Sequence, residues 1–162
     1  MADVLILMGS DSDAATMAAS GEALTALGLT WDMTVASAHR SPARVLQLVN
    51  DAPGRGVKVF IVGAGAAAHL AGVVAAHTTL PVIGVPIDSS ALKGLDALLS
   101  TVQMPPGVPV ATVAIGKAGA TNAGVLAAQM IALGDPRVAS RLVDYKKSLA
   151  EKVEAAAKKL NS

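Results

Sequence analysis

From Val59 to Ile87 the chain carries no Asp, Glu, Lys or Arg, which is long enough to raise the question of a membrane span. Glycines and prolines answer it. Gly63, Gly65, Gly72, His69, His77, Thr78, Thr79, Pro81 and Gly84 divide the stretch into strand, turn, helix, turn and strand, so it reads as buried core. An uncharged strand–helix–strand unit fits one setting well. Its strands must be covered on both faces, as in a parallel sheet with helices above and below.

The rest of the chain repeats the unit. Short apolar runs at Val4–Met8, Asp32–Ala36, Val57–Val62, Val82–Val85 and Val108–Ile115 read as strands. Helical patterns follow them at about Asp13–Leu27, Pro42–Asp51, Ala67–Ala76, Leu92–Val102 and Thr121–Leu133. Gly28, Gly54, Gly56 and Gly134-Asp135-Pro136 stand where helices should stop. Five such units predict an α/β three-layer sandwich around a five-stranded parallel sheet, flavodoxin-like, with strand order 2-1-3-4-5. A sixth helix is expected from about Pro136 to Leu160. Its stripe of Val138, Leu142, Tyr145, Leu149, Val153, Ala156 and Leu160 packs either on its own domain or on a neighbouring subunit. The 162 residues fit a single α/β domain spanning 1–162.

Composition limits the partners. Charged residues make up 15% of the chain, where about 25% is usual, and apolar residues make up 52%. Such a surface is short of polar cover, which predicts burial between subunits in a homo-oligomer. A net charge of +1 with mixed signs leaves no footprint for nucleic acid or an anionic membrane. Cys is absent, excluding disulfides and thiolate metal sites and fitting a reducing cytoplasm. The N-terminal MADVLILMGSD lacks the basic region of a signal peptide.

In an open parallel sheet ligands bind beyond the carboxyl ends of the strands, so the loops after each strand hold the candidate chemistry. Gly9-Ser10-Asp11-Ser12-Asp13 follows the first strand. Ser and Asp there are ordinary helix caps, yet hydroxyls and free N–H groups at a helix start also suit a phosphate, and a carboxylate suits ribose hydroxyls. Ser37-Ala38-His39-Arg40 follows the second strand. Arg40 offers a planar fork to a phosphate. His39 is either a solvated turn residue or a group that takes and gives a proton in one turnover; its place on the rim favours the second.

Gly63-Ala64-Gly65-Ala66-Ala67-Ala68-His69 follows the third strand, where small residues let backbone approach a ligand. His69 is either a pocket residue or a histidine satisfied by a carbonyl, and His77 reads as structural. Pro86-Ile87-Asp88-Ser89-Ser90 follows the fourth strand. No metal site is expected, because the three histidines lack a close ligand spacing. The loop also fits G-x-G-x-x-A, but it follows the third strand and lacks the acid a dinucleotide site needs. One Phe, one Trp and one Tyr leave little to stack on a flavin.

Taken together, GSDSD, SAHR, GAGAAAHL, PVIGVP and QMPPGVPVATVAIGKAGATNAG resemble, in order and spacing, the N5-carboxyaminoimidazole ribonucleotide mutases, the class I branch of the aminoimidazole ribonucleotide carboxylase family of purine biosynthesis. The likeness runs from about Asp3 to Leu133. It implies an isomerase that moves a carboxylate from the exocyclic amine to the ring carbon of an aminoimidazole ribonucleotide, with no cofactor and no metal, in a cytoplasmic homo-octamer. Residue by residue, it implies that Ser10, Ser12 and Asp13 hold the ribose phosphate portion with Ser37 and Ala38 beside them, and that Arg40 pairs with phosphate. His39 would move the proton, with the Gly63–Ala68 loop, Gly65, Ala66 and Ala67 in particular, and His69 and Leu70 around the migrating carboxylate. Family members more often carry Gly in place of Ala66 and Pro in place of Ala71. A second branch carboxylates with free carbon dioxide and lacks the AAHL segment found at Ala67–Leu70. Two alternatives remain open at this level: that carboxylase activity, and a nucleotide-binding assembly subunit without catalysis.

Overall fold

The computed structural model describes residues 1–160, and each strand of its sheet leads into a helix. The strands are β1 Val4–Met8, β2 Trp31–Val35, β3 Val59–Gly65, β4 Val82–Ile87 and β5 Ala111–Thr112. All pair in parallel, in the order β2-β1-β3-β4-β5. The helices are α1 Ala14–Ala26, α2 Pro42–Asp51, α3 Leu70–Ala76, α4 Leu95–Val102, α5 Gly116–Ala132 and α6 Pro136–Leu160. Architecture and strand order are those expected from the alternating pattern.

Alternate side chains along each central strand build two separate cores. Val4, Ile6, Met8, Val59, Ile61, Ile83 and Val85 face one side, under α1, α5 and the start of α6. Leu5, Leu7, Phe60, Val62 and Val82 face the other, under α2, α3 and α4. Burial on both faces explains why β1, β3 and β4 lack charge and lack polar alternation. Only Val138 of the α6 stripe is buried. Leu142 and Tyr145 pack against the first core, while Leu149, Val153, Ala156 and Leu160 are exposed on this chain.

Several boundaries differ from expectation. The fifth strand, expected over Val108–Ile115, pairs over two residues only, since Pro109 has no N–H for a ladder and the strand lies at the sheet edge. Gly63, Ala64 and Gly65 belong to β3 and Pro86 and Ile87 to β4, so the loops after these strands are shorter than read. Met17 explains Gly63: a Cβ there would meet its sulfur at 2.4 Å. Helix α3 starts at Leu70, not Ala67, because 66–69 forms a tight turn. Helix α5 starts at Gly116, five residues before the expected Thr121.

Candidate active site

The carboxyl ends of β1, β2, β3 and β4 open onto one cavity of about 270 Å3. Ser10, Ser12, Asp13, Ser37, Ala38, His39, Arg40, Gly65, Ala67, His69 and Leu70 all line it. Ala66 does not; it is exposed, with φ of 51°, and makes the left-handed step that turns the chain out of β3. The strand order is what brings these loops together. β1 and β3 are central neighbours and β2 lies beside β1, so the switch point falls between the Ser10 and Gly65 loops.

Among the polar residues, Ser10 caps a short 3-10 turn, Asp11–Asp13. Its hydroxyl accepts from the Ser12 N–H at 3.3 Å and from the Ser12 hydroxyl at 2.9 Å. Asp13 is 5% exposed and makes no capping hydrogen bond. Burial pushes its carboxyl above the usual range, and like charge on Asp11 adds to this. Hydrogen bonds from Ser10 and Ser12 offset only part of the rise. The β2–α2 loop is held by its own bonds. Ser37 N–H donates to Ser41 Oγ at 3.2 Å, and Arg40 N–H donates to Ser37 Oγ at 3.1 Å. Arg40 then reaches across the strands, where Nη2 donates to the Gly9 carbonyl at 3.0 Å. Its guanidinium thus stands over the end of β1 with donors left for an anion.

Ala38, Ala64, Gly65, Ala67 and Leu70 give the same cavity its apolar lining. His39 Nε2 lies 2.8 Å from His69 Nδ1. The rings meet edge to face, with centroids 4.9 Å apart and planes at 79°. His77 sits elsewhere, with Nδ1 against the Val73 carbonyl at 2.8 Å, which agrees with a structural role.

Residues 3–152 match the model of the family described as AIR carboxylase. The chain is a member of the AIR carboxylase family. It is 52% identical to the N5-carboxyaminoimidazole ribonucleotide mutase of Brucella melitensis over 93% of each chain. With the Escherichia coli protein of the same name it shares 49% identity, over 94% of this chain and 90% of the other. The crystal structure of Treponema denticola PurE superposes with a TM-score of 0.87 at 29% identity, covering 98% of both chains.

In this AIR carboxylase family member, two lining residues had been given no role from the sequence, Gly9 and Ser89. Gly9 and Ser89 were visible as members of the rim loops, and Ala64 stood within the Gly-Ala-Gly run. Ser89 stood in the Pro86–Ser90 loop, which the sequence offered as part of the rim without giving this residue a role. Gly65 admits it: a Cβ on Gly65 would fall 1.8 Å from Ser89 Oγ. Among the described residues no group of His, Asp and Glu could hold a metal ion, and no helix is long and apolar enough to cross a membrane.

Proposed function

We propose that this chain converts N5-carboxyaminoimidazole ribonucleotide to 4-carboxy-5-aminoimidazole ribonucleotide in purine biosynthesis, with His39 as the proton-transfer group. The observation that carries the reading is that one cavity gathers His39 together with hydroxyls and an arginine (Ser10, Ser12, Ser37, Arg40) and with small apolar residues. The rim suits a ribose phosphate, with Arg40, Ser10 and Ser37 toward the phosphate and Asp13 toward ribose hydroxyls. The apolar wall of Ala38, Ala64, Gly65, Ala67 and Leu70 suits carbon dioxide, which asks for few hydrogen bonds and must not escape.

The substrate ring is an enamine and supplies its own electrons. The N–C bond of the carbamate breaks, carbon dioxide leaves, and the nitrogen takes a proton from His39. The ring carbon then attacks the trapped carbon dioxide, a C–C bond forms, and the proton on that carbon returns to His39. Protons and electrons balance within one turnover, so the protein's work is to hold the two fragments together and manage one proton.

An absorbance assay on freshly prepared carbamate tests this. The wild-type chain should form the carboxylated product, and His39→Asn should remain folded, since His39 is exposed, but lose about 100- to 10,000-fold in turnover. Near-normal turnover of that variant defeats the role given to His39.

Assembly as a cytoplasmic homo-octamer belongs to the same reading. It is supported by 15% charged residues, by the absence of Cys, and by exposed apolar side chains on the α4 side and the outer half of α6.

A further inference from the structure

The mechanism asks one imidazole to act as acid and then as base, and the structure gives that imidazole a partner. We propose that His69 is a positioning residue that holds His39 Nε2 through its own Nδ1 and so leaves His39 Nδ1 free for the travelling proton; the inference rests on the mutase reading of this cavity.

The two histidines stand 30 positions apart in sequence, in the loops that follow two strands separated by β1, yet their nitrogens approach to 2.8 Å. Each loop is set independently of this contact. Ser37, Arg40 and Ser41 tie the His39 loop. Ala68 N–H donates to the Ala66 carbonyl at 2.9 Å and His69 N–H to the Ala67 carbonyl at 2.8 Å, tying the other. Backbone geometry therefore aims the rings at each other.

Such a contact is attractive only when one nitrogen carries hydrogen and the other a lone pair. With the proton on His39 Nε2, His69 must present the lone pair of Nδ1 and keep its hydrogen on Nε2. Because that bond occupies Nε2, the proton exchanged with the substrate passes through His39 Nδ1: the doubly protonated ring gives it to the carbamate nitrogen and the neutral ring takes it back from the ring carbon, with Nε2–H held by His69 throughout. The other charged groups facing the pair are Asp13 and Arg40, which line the same cavity and stay unchanged in every variant below.

The test combines imidazole 15N NMR of the free protein with pH–rate profiles for the wild type, His69→Leu and His69→Asn. His69 is exposed, so both substitutions spare the core. In His69→Leu the 15N shifts of His39 should move and kcat should fall about 10- to 100-fold with a changed pH profile, while KM changes less than about threefold. His69→Asn, whose amide can meet Nε2 as donor or acceptor, should restore most of kcat. A raised KM with unaltered kcat and pH profile, or unmoved 15N shifts, would show that His69 is only pocket wall and would overturn the proposal. Absence of product from carbamate with the wild-type chain defeats the mutase reading instead, and the 15N shifts of the free protein report separately on the contact.

Discussion

Ala66 holds φ of 51°, a conformation that costs an L side chain about 1–2 kcal/mol and costs glycine little. Ala66→Gly should raise stability by about 1 kcal/mol, less the greater freedom glycine gains in the unfolded chain. A urea titration would show a higher midpoint at unchanged slope; a lower midpoint would contradict the strain. Asp13 carries the opposite lesson. Its raised pKa means that the folded chain holds the proton more tightly than the unfolded chain does. Stability is therefore lost as pH rises through the carboxylate range and the loss is complete above the folded value. Asp13→Asn should be more stable than the parent near neutral pH by up to about 1 kcal/mol, with the gain shrinking in acid and with weaker nucleotide binding. Thermal melts at about pH 7 and about pH 3 check the sign; a difference independent of pH would refute it.

At the scale of elements, α1 and α5 lie close because small residues face each other. Ala120, Ala123, Ala127 and Ala128 are fully buried, and Ser20 Oγ donates to the Ala120 carbonyl at 2.7 Å. A Cβ on Gly124 would stand 2.6 Å from the Ser20 carbonyl oxygen and 2.9 Å from Ala23 Cβ. Gly124→Ala should push the helices apart and cost about 1–3 kcal/mol, read from urea unfolding; an unchanged midpoint would show that the pair can slide. A local close approach accompanies the start of α5 at a position earlier than its sequence pattern implies. Gly116 and Gly119 have poor helix propensity, and a Cβ on Gly119 would fall 1.6 Å from the Ala114 carbonyl oxygen, so close approach outweighs propensity there. The strand–helix alternation was legible because apolar runs and glycine stops are local signals. The short β5 was not, because an edge strand is defined by the partner it lacks.

For the whole molecule, the scarcity of charge has a location. Leu92, Leu95, Leu99 and Val102 are 63%, 53%, 54% and 45% exposed, and they recur at spacings of three and four along α4 and the turn before it. A second subunit is the cover these side chains ask for under the octamer reading. The double substitution Leu95→Glu with Leu99→Glu should therefore shift light scattering to a smaller species while each subunit keeps its fold. A wild-type chain that scatters as a dilute monomer would remove the octamer reading.

The amino-acid order by itself determined the layered parallel sheet and the rim residues Ser10, Asp13, His39, Arg40 and His69, because hydrophobic period, helix stops and loop chemistry are written within a few positions of one another. Only the tertiary structure decided that His39 meets His69, that Ser89 enters beside Gly65 and that Ala66 turns away. Those contacts join loops from different strands, and their distances follow from strand pairing and backbone angles that no local pattern encodes.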